Sequence, residues 1–403
     1  MSSQPLAVAI IPARGGSKGL VRKNVLRVAG TPLVAYAIEQ ARSAASVARV
    51  LVSTEDEEIA EASLRHGAEV IRRPANLSTD TASSESVLWH ALEYLGQQGC
   101  RPDLMVFMQC TSPLILSNDI DDAIELLKSE DADCAFAASP FHGFLWERDG
   151  TGQAVGINHD SGTRLRRQDV EPQFIEAGAF YVMRAEGFRQ ARHRFFGKVV
   201  ISLIPRERAW EVDEPADVPM IELLLRQRVL RDRLVRLPDS PQAVIMDFDG
   251  VLTDNRVLVC ADGSEAVFAN RSDGMGLAQL RAHSVRLAVI SAEANPVVQA
   301  RCRKLRLECI SGADVKAPVL MAWLDRHGID AGAAIYVGND VNDLPCLAMV
   351  GCGVAVRDAH PEVRAAARLV LDAPGGRGAI RELCDLVIMK MGGMDRGASR
   401  IAR

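Results

Sequence analysis

A chain of 403 residues is long for a single hydrophobic core, and 48% hydrophobic with 25% charged residues is the balance of globular domains, so two domains are expected. Its net charge of −5 argues against a nucleic-acid binder, and no window offers the ~18 uninterrupted apolar residues of a membrane helix. The start MSSQPLAVAIIPARGG lacks the basic region of a signal peptide, and nine scattered cysteines without a CxxC pair fit reduced thiols in the cytoplasm rather than a zinc site or a disulfide framework.

Apolar strand-like runs alternate with helical patterns along the chain. A strand over 7–12 precedes a helix near 32–45, a strand over 47–53 and a helix near 56–66. A helix near 84–97, a strand over 103–109 and a helix near 118–129 follow. Such alternation implies βαβ units and a mostly parallel sheet covered by helices. Residues 219–237 read as a charged helix, closed by the breakers Pro238 and Pro241. The alternation restarts at AVIMDFDG, with later strands at 285–291 and 333–340. The expected division is a domain over 1–230, a linker over 231–242, a second domain over 243–392, and a flexible tail over 393–403 that lacks an apolar period. The fold class is α/β, with two doubly wound domains.

The first strand runs into Pro12-Ala13-Arg14-Gly15-Gly16-Ser17-Lys18-Gly19, then Arg22-Lys23-Asn24. Glycines let the backbone approach a polyphosphate, and the loop's N–H groups can point at phosphate oxygens. Arg14, Lys18 and Lys23 add charge that a triphosphate attracts. A loop at the carboxyl end of a parallel strand is where open α/β sheets bind ligands. The spacing is neither the GxGxxG fingerprint nor the GxxxxGK[ST] of a P-loop, so both classes are set aside.

The block IPARGGSKGLVRKN resembles the signature of N-acylneuraminate (CMP-sialic acid) cytidylyltransferases, as do RRPANLSTDTASSES (72–86), MQCTSPL (108–114) and WEVDEPAD (210–217). The resemblance spans residue 7 to roughly 225 and implies a nucleotide-diphospho-sugar transferase-like fold. It implies that Arg14, Ser17, Lys23 and Asn24 hold the phosphates of CTP, with Arg73 and Ser84 near the nucleotide. Gln109 would contact the sugar acid, and Glu211 and Asp213 would bind Mg2+. Arg14 and Lys23 would also be catalytic, because charge around the departing pyrophosphate accelerates the transfer. Asp217 is placed on a solvated helix start. Two departures touch the sugar side: Ala177-Gly178 stands where many members have Asn-Gly, and an arginine found in that stretch of several sialate enzymes is missing. Arg167 is the candidate for the matching basic position.

AVIMDFDGVLTDN (243–255) is an apolar strand ending in Asp247-Phe248-Asp249-Gly250. Carboxylates at i and i+2 of a strand face the same side. One can attack a phosphorus while the other handles the leaving-group proton. Ser291, Lys316, Asp340 and Asp343 follow at or near the ends of later strands. Together these pieces match the four motifs of haloacid dehalogenase superfamily phosphatases. With SDGMGLAQL, RCRKL, GNDVNDLP and GGRGAIREL they resemble the Kdo-8-phosphate phosphatase type over about 243–390. The resemblance implies Asp247 as nucleophile and Asp249 as acid and base, with Mg2+ on Asp247, the Asp249 carbonyl and Asp340, and Asp343 in support. Ser291 and Lys316 would grip the phosphoryl group, and Arg377 would contact substrate phosphate or carboxylate. No separate cap domain fits between the motifs; 255–271 reads as a β-hairpin, which in that subfamily helps build a tetramer.

The expected partners are therefore CTP and a nonulosonic acid at one site and a sugar-acid phosphate at the other, in a homo-oligomer (a tetramer, or dimers through the first domain). Dephosphorylation and CTP activation are consecutive steps of the pathway that the resemblance brings. The rival reading is a cytidylyltransferase for Kdo or another 3-deoxy acid, with the second domain serving only for assembly. Lys23-Asn24 argues against Kdo, and the retained charged residues argue for an active second domain. His142 is held open as a sugar contact.

Overall fold

The computed structural model describes residues 6–16, 19–79, 81–163 and 165–401, without the side chains of Arg167 and 393–401. The chain divides into two compact units, 1–227 and 228–403.

Unit 1 is built on β1 (Ala7–Pro12), followed by a small ribbon of β2 (Arg27–Val28) and β3 (Thr31–Pro32). Then come α1 (Leu33–Ser43), β4 (Val47–Thr54), α2 (Glu57–Arg65), β5 (Glu69–Arg72), α3 (Ser84–Gln97), β6 (Leu104–Met108), α4 (Ser117–Ser129) and β7 (Cys134–Phe141). A second ribbon pairs β8 (Trp146–Arg148) with β9 (Ala154–Gly156), and β10 (Gln173–Arg184), α5 (Ala185–Ala191) and β11 (Val199–Leu203) complete the sheet. Its order is β11-β7-β10-β6-β1-β4-β5. Only β10 runs antiparallel, against β6 and β7; the other neighbours are parallel.

Both faces of this sheet are covered, which is why its strands read as continuous apolar runs. Ile11 and Val52 share one core with Ile38 of α1 and Leu127 of α4; Ile10 and Phe107 share another with Leu88 of α3 and Phe188 of α5. Helix starts carry sequence-coded caps. Asp56 accepts from Ile59 N at 3.0 Å and Ser83 from Ser86 N at 3.2 Å.

The helix at 217–236 (α6, Asp217–Arg236) passes through the division between Gln227 and Arg228, and 231–236, expected as linker, are helical. The reason is apolar. Leu230, Leu234 and Leu237 pack into the core of unit 2, and the chain breaks only at Pro238.

Unit 2 starts with β12 (Ala243–Met246) and the hairpin β13 (Thr253–Val259) and β14 (Glu265–Ala269). Then follow α7 (Arg271–Ala282), β15 (Arg286–Ser291), α8 (Pro296–Leu305), β16 (Glu308–Ser311), α9 (Lys316–His327) and β17 (Ala334–Gly338). The unit closes with α10 (Leu344–Met349), β18 (Cys352–Ala355), α11 (Pro361–Ala366), β19 (Leu369–Val370) and α12 (Ala379–Ile401). Its sheet, β16-β15-β12-β17-β18-β19, is parallel throughout. The segment expected as a flexible tail lies in α12 as far as Ile401, with its side chains outside those described. None of the described helices is long and apolar enough to cross a membrane.

Candidate active sites

In unit 1, β1 has β4 on one side and β6 on the other, and the helices after β1 and β6 leave a crevice at the carboxyl ends. The loop after β1 is pinned there: Ala13 N donates to Ser53 O at 3.0 Å, Gly15 N to Glu55 Oε1 at 2.7 Å, and Asn24 Nδ2 to Arg14 O at 2.9 Å. Arg22, with a left-handed φ of 58°, folds its guanidinium onto Asp56 and Glu58. That clasp turns the next residue, Lys23, toward the crevice.

A cavity of about 310 Å³ results, and Arg14, Lys23, Asn24, Arg73, Ser84 and Gln109 all line it. Arg73 is only 7% exposed, and its Nε donates to Ser53 Oγ at 3.3 Å. Burial lowers its pKa, which Glu55 partly opposes, and it has no ion pair among the described residues. A cation held in this way suits an anionic ligand. Ser17 lies outside the described residues. Arg167 opens a 3-10 turn, Arg167–Asp169, and its side chain is likewise not described. His142 is exposed and is not among the residues lining the cavity.

Glu211 and Asp213 flank the fully buried Val212, whose N–H donates to Thr111 O at 2.8 Å, so the acidic pair is anchored to the loop after β6. Lys23 Nζ lies 3.1 Å from Asp213 Oδ1. Burial, then the nearby Asp213, pushes the Glu211 pKa up to about 7, with Lys23 opposing. A buried Glu211 carboxyl beside a second acidic side chain is a donor set that suits a hard divalent cation. Gly178 sits behind them at φ 59°, where any Cβ would collide with Glu211 Oε1. Asp217 corrects an expectation: its Oδ2 accepts from Asp213 N at 2.8 Å and Glu214 N at 2.7 Å, so it shapes the acidic loop instead of facing solvent alone.

Several neighbours of this cavity carried no local motif. Tyr181 stacks on the cavity-lining Phe107 with ring centroids 5.3 Å apart. Arg194 lies over both rings, at 5.0 and 4.7 Å, and its Nε donates to Glu85 Oε1 at 2.7 Å. The Tyr181 hydroxyl donates to Glu176. The pairing of β10 with β6 sets Tyr181 opposite Phe107, and Arg194 reaches both rings from the segment after α5.

In unit 2, β12 stops short of Asp247, so Asp247 and Asp249, expected on the strand itself, instead lie in the turn after it; Ser291 ends β15, and Asn339 and Asp340 follow β17. All five line one cavity of about 330 Å³. Lys316, 2% exposed at the start of α9, brings Nζ to 2.6 Å from Asp247 Oδ2 and 2.8 Å from Asp343 Oδ1. Burial works against the lysine's charge, but the two carboxylates outweigh it and hold its pKa above the usual value. Burial raises the Asp247 pKa to about 6, with Asp343 adding and Lys316 opposing. Burial also raises that of Asp249, as suits a proton donor.

Asp343, expected in support of the metal, is fully buried with both oxygens engaged. Oδ1 accepts from Lys316 Nζ and from Tyr336 Oη at 2.9 Å, and Oδ2 from Asn339 N at 2.9 Å. It therefore holds Lys316 and the turn after β17. Asp340 Oδ1 accepts from Val341 N at 2.7 Å. Asn339, which is not among the residues expected from the motifs, has a buried Oδ1 with no hydrogen-bond partner among the described residues. An orphaned carbonyl oxygen beside Asp247 and Asp249 is the kind of donor that fits Mg2+. The GGRG turn packs against this loop: Gly376 has φ 64°, and a Cβ there would collide with the Thr253–Asp254 backbone. Arg377 follows directly and bears on Asp254 electrostatically.

A family model described as cytidylyltransferase matches residues 8–193, and one described as haloacid dehalogenase-like hydrolase matches residues 301–380. The chain is 30% identical over 392 residues to the N-acylneuraminate cytidylyltransferase of Oncorhynchus mykiss, a match covering 94% of this chain and 88% of that protein. It is 30% identical over 226 residues to the pseudaminic acid cytidylyltransferase of Campylobacter jejuni, covering 54% of this chain and 96% of that one. The 3-deoxy-D-manno-octulosonate 8-phosphate phosphatase of Salmonella typhi is 34% identical over 158 residues, covering 39% of this chain and 84% of that one.

Proposed function

The chain belongs to the N-acylneuraminate cytidylyltransferase family, and on that footing we propose that unit 1 transfers CMP from CTP to the anomeric hydroxyl of a nonulosonic acid, releasing pyrophosphate. The observation that carries this reading is the one cavity that gathers Arg14, Lys23, Asn24, Arg73, Ser84 and Gln109 at the carboxyl ends of β1 and β6. In the transfer the anomeric oxygen bonds to the α-phosphorus, the bond to the pyrophosphate oxygen breaks, and the hydroxyl proton passes to a base. Arg14, Lys23 and the loop amides offset the charge on the departing pyrophosphate, with Ser17 and Asn24 fixing the phosphates. Ser84 and Arg73 bound the nucleotide; Gln109 and Arg167 take the sugar acid. Glu211 and Asp213 would hold Mg2+, which supplies positive charge to the phosphates when bound.

Unit 2 removes the phosphate from a nonulosonate 9-phosphate, the precursor of the acid used in unit 1. Asp247 attacks phosphorus while Asp249 gives a proton to the departing sugar oxygen. Asp249 then takes a proton from the water that splits the aspartyl phosphate. Lys316 and Ser291 offset the phosphoryl charge, and Arg377 steadies the substrate's anionic end. Mg2+ would sit on Asp247, the Asp249 carbonyl and Asp340, with the orphaned Asn339 oxygen as a further donor. Exposed Val257, Leu258, Val259 and Phe268 on the hairpin support assembly into a homotetramer. Nine free cysteines support a cytoplasmic setting.

The test is CTP turnover with Neu5Ac, KDN, legionaminic acid, pseudaminic acid and Kdo side by side, with phosphate release from the corresponding phosphates. Turnover of Kdo alone would replace the sialic-type reading. Absence of phosphate release from every substrate would reduce unit 2 to an assembly module.

A further inference from the structure

β15 ends at Ser291 in the phosphatase-like cavity and begins at Arg286, five residues away. At a strand's rise that is about 16 Å, so the two ends of this strand serve different surfaces. Around Arg286 lies a separate cavity of about 400 Å³. Three guanidiniums border it, each from a different segment: Arg281 in the last turn of α7, Arg286 at the start of β15, and Arg306 at the C-cap of α8.

In a chain of net charge −5 this is a local excess of positive charge. Arg281 donates to Leu305 O, but the side chains of Arg286 and Arg306 make no hydrogen bond or ion pair among the described residues. The one carboxylate on the rim belongs to Glu308, and Arg326 at 3.1 Å and His327 at 3.0 Å already hold it. Trp323 also borders the cavity. It is 1% exposed, and its buried Nε1–H has no hydrogen-bond partner in the structure. Like charges that share a hollow repel, and they pair bidentately with phosphate oxygens when these are offered.

We propose that this cavity binds a small phosphorylated molecule, its phosphate held by Arg286 and Arg306 close enough to the buried Trp323 to alter that ring's surroundings. None of the residues assigned to either reaction takes part, so the site is independent of both catalytic readings.

The test uses the full chain labelled with 5-fluorotryptophan. The chain has four tryptophans, and Trp323→Phe identifies the fluorine line to follow. The probe is inorganic pyrophosphate, with sodium chloride at matched ionic strength as control. The Trp323 line should shift saturably with pyrophosphate and not with chloride. Asp247→Asn should leave the shift in place. Arg286→Ala should weaken the apparent affinity about tenfold, the loss of one charge-assisted contact. Arg286→Gln with Arg306→Gln should abolish the shift while thermal unfolding stays near wild type. No shift, a shift reproduced by chloride, or a shift kept by the double variant would overturn the proposal. If the double variant fails to fold, Arg286→Ala alone decides: an unchanged affinity overturns it.

Discussion

Lys316 Nζ lies 2.6 Å from Asp247 Oδ2, and the same ammonium is 2.8 Å from Asp343 Oδ1. One buried cation thus holds the proposed nucleophile on one side and a fully enclosed carboxylate on the other. Lys316→Met would leave both acids buried without their shared cation, with the neutral donors Phe248 N, Tyr336 Oη and Asn339 N remaining. Removing one member of a buried ion pair costs about 3–5 kcal/mol. Thermal unfolding should show unit 2 melting earlier, and phosphate release should be lost with it.

Asp247→Asn separates the two reactions. It keeps the size of the side chain but replaces the attacking oxygen with a poor nucleophile. Release of phosphate from a nonulosonate 9-phosphate should vanish, while CMP-sugar synthesis from the free acid stays near wild type. Both rates are measured on one purified variant, with its assembly size checked. Loss of both activities from an intact assembly would refute the independence of the sites.

Lys23 faces the cavity and pairs with the largely exposed Asp213, not with a core residue. Lys23→Ala should therefore abolish CMP-sugar formation with little change in melting temperature. Near-normal turnover would remove the phosphate role of the loop.

The acidic loop before α6 gives a graded series. Asp213→Ala should remove Mg2+-dependent synthesis. Asp217→Ala should also impair it, because two amides of the loop lose their acceptor, while Asp217→Asn keeps an oxygen there and should be milder. The Mg2+ dependence of the rate distinguishes the two: Asp213→Ala should lose the response, and Asp217→Ala should need more metal. Equal, metal-independent losses would show that the pair has been misassigned.

Gly178→Ala tests the other wall of that pair. A methyl at φ 59° is strained and would strike Glu211 Oε1. Synthesis should fall by about tenfold or more as Glu211 is displaced. Isothermal titration with Mg2+ should show weaker binding in unit 1. Unchanged metal affinity would mean that Glu211 has room to move.

Motifs made much of both sites legible beforehand. Arg14, Lys23 and Asn24 stand on one loop, and Asp247 and Asp249 two residues apart in the turn after β12, so nearness in sequence places them together. Arg73, Ser84 and Gln109 are each local to a block that ends a strand or starts a helix, and the parallel sheet delivers them to the same edge. Tyr181 and Arg194 carry no local signal: Tyr181 meets Phe107 through β10 running antiparallel into β6, and Arg194 reaches them through its long-range hold on Glu85. Asn339, a neutral side chain beside the charged Asp340, has no distinguishing mark in the sequence. Its distinction, an oxygen without a partner, exists only in three dimensions. The linker expected over 231–242 differs for a related reason: an arginine-rich helix reads as solvated in sequence, and its leucines pack only in three dimensions.

That leucine face sets the terms on which the chain can be dissected. Leu237 sits in the core of unit 2, the half-buried Leu230 and Leu234 pack against it, and Arg233 ties the same turns to Asp372 at 2.8 Å and to Glu382. A phosphatase fragment begun at the proline break would expose the apolar ground these residues cover and leave Glu382 without its cation. It should aggregate or melt early even though every catalytic side chain is present. A fragment begun at Arg228 keeps the cover, so the edge of the folding unit lies inside a helix, upstream of the edge that the catalytic motifs would suggest.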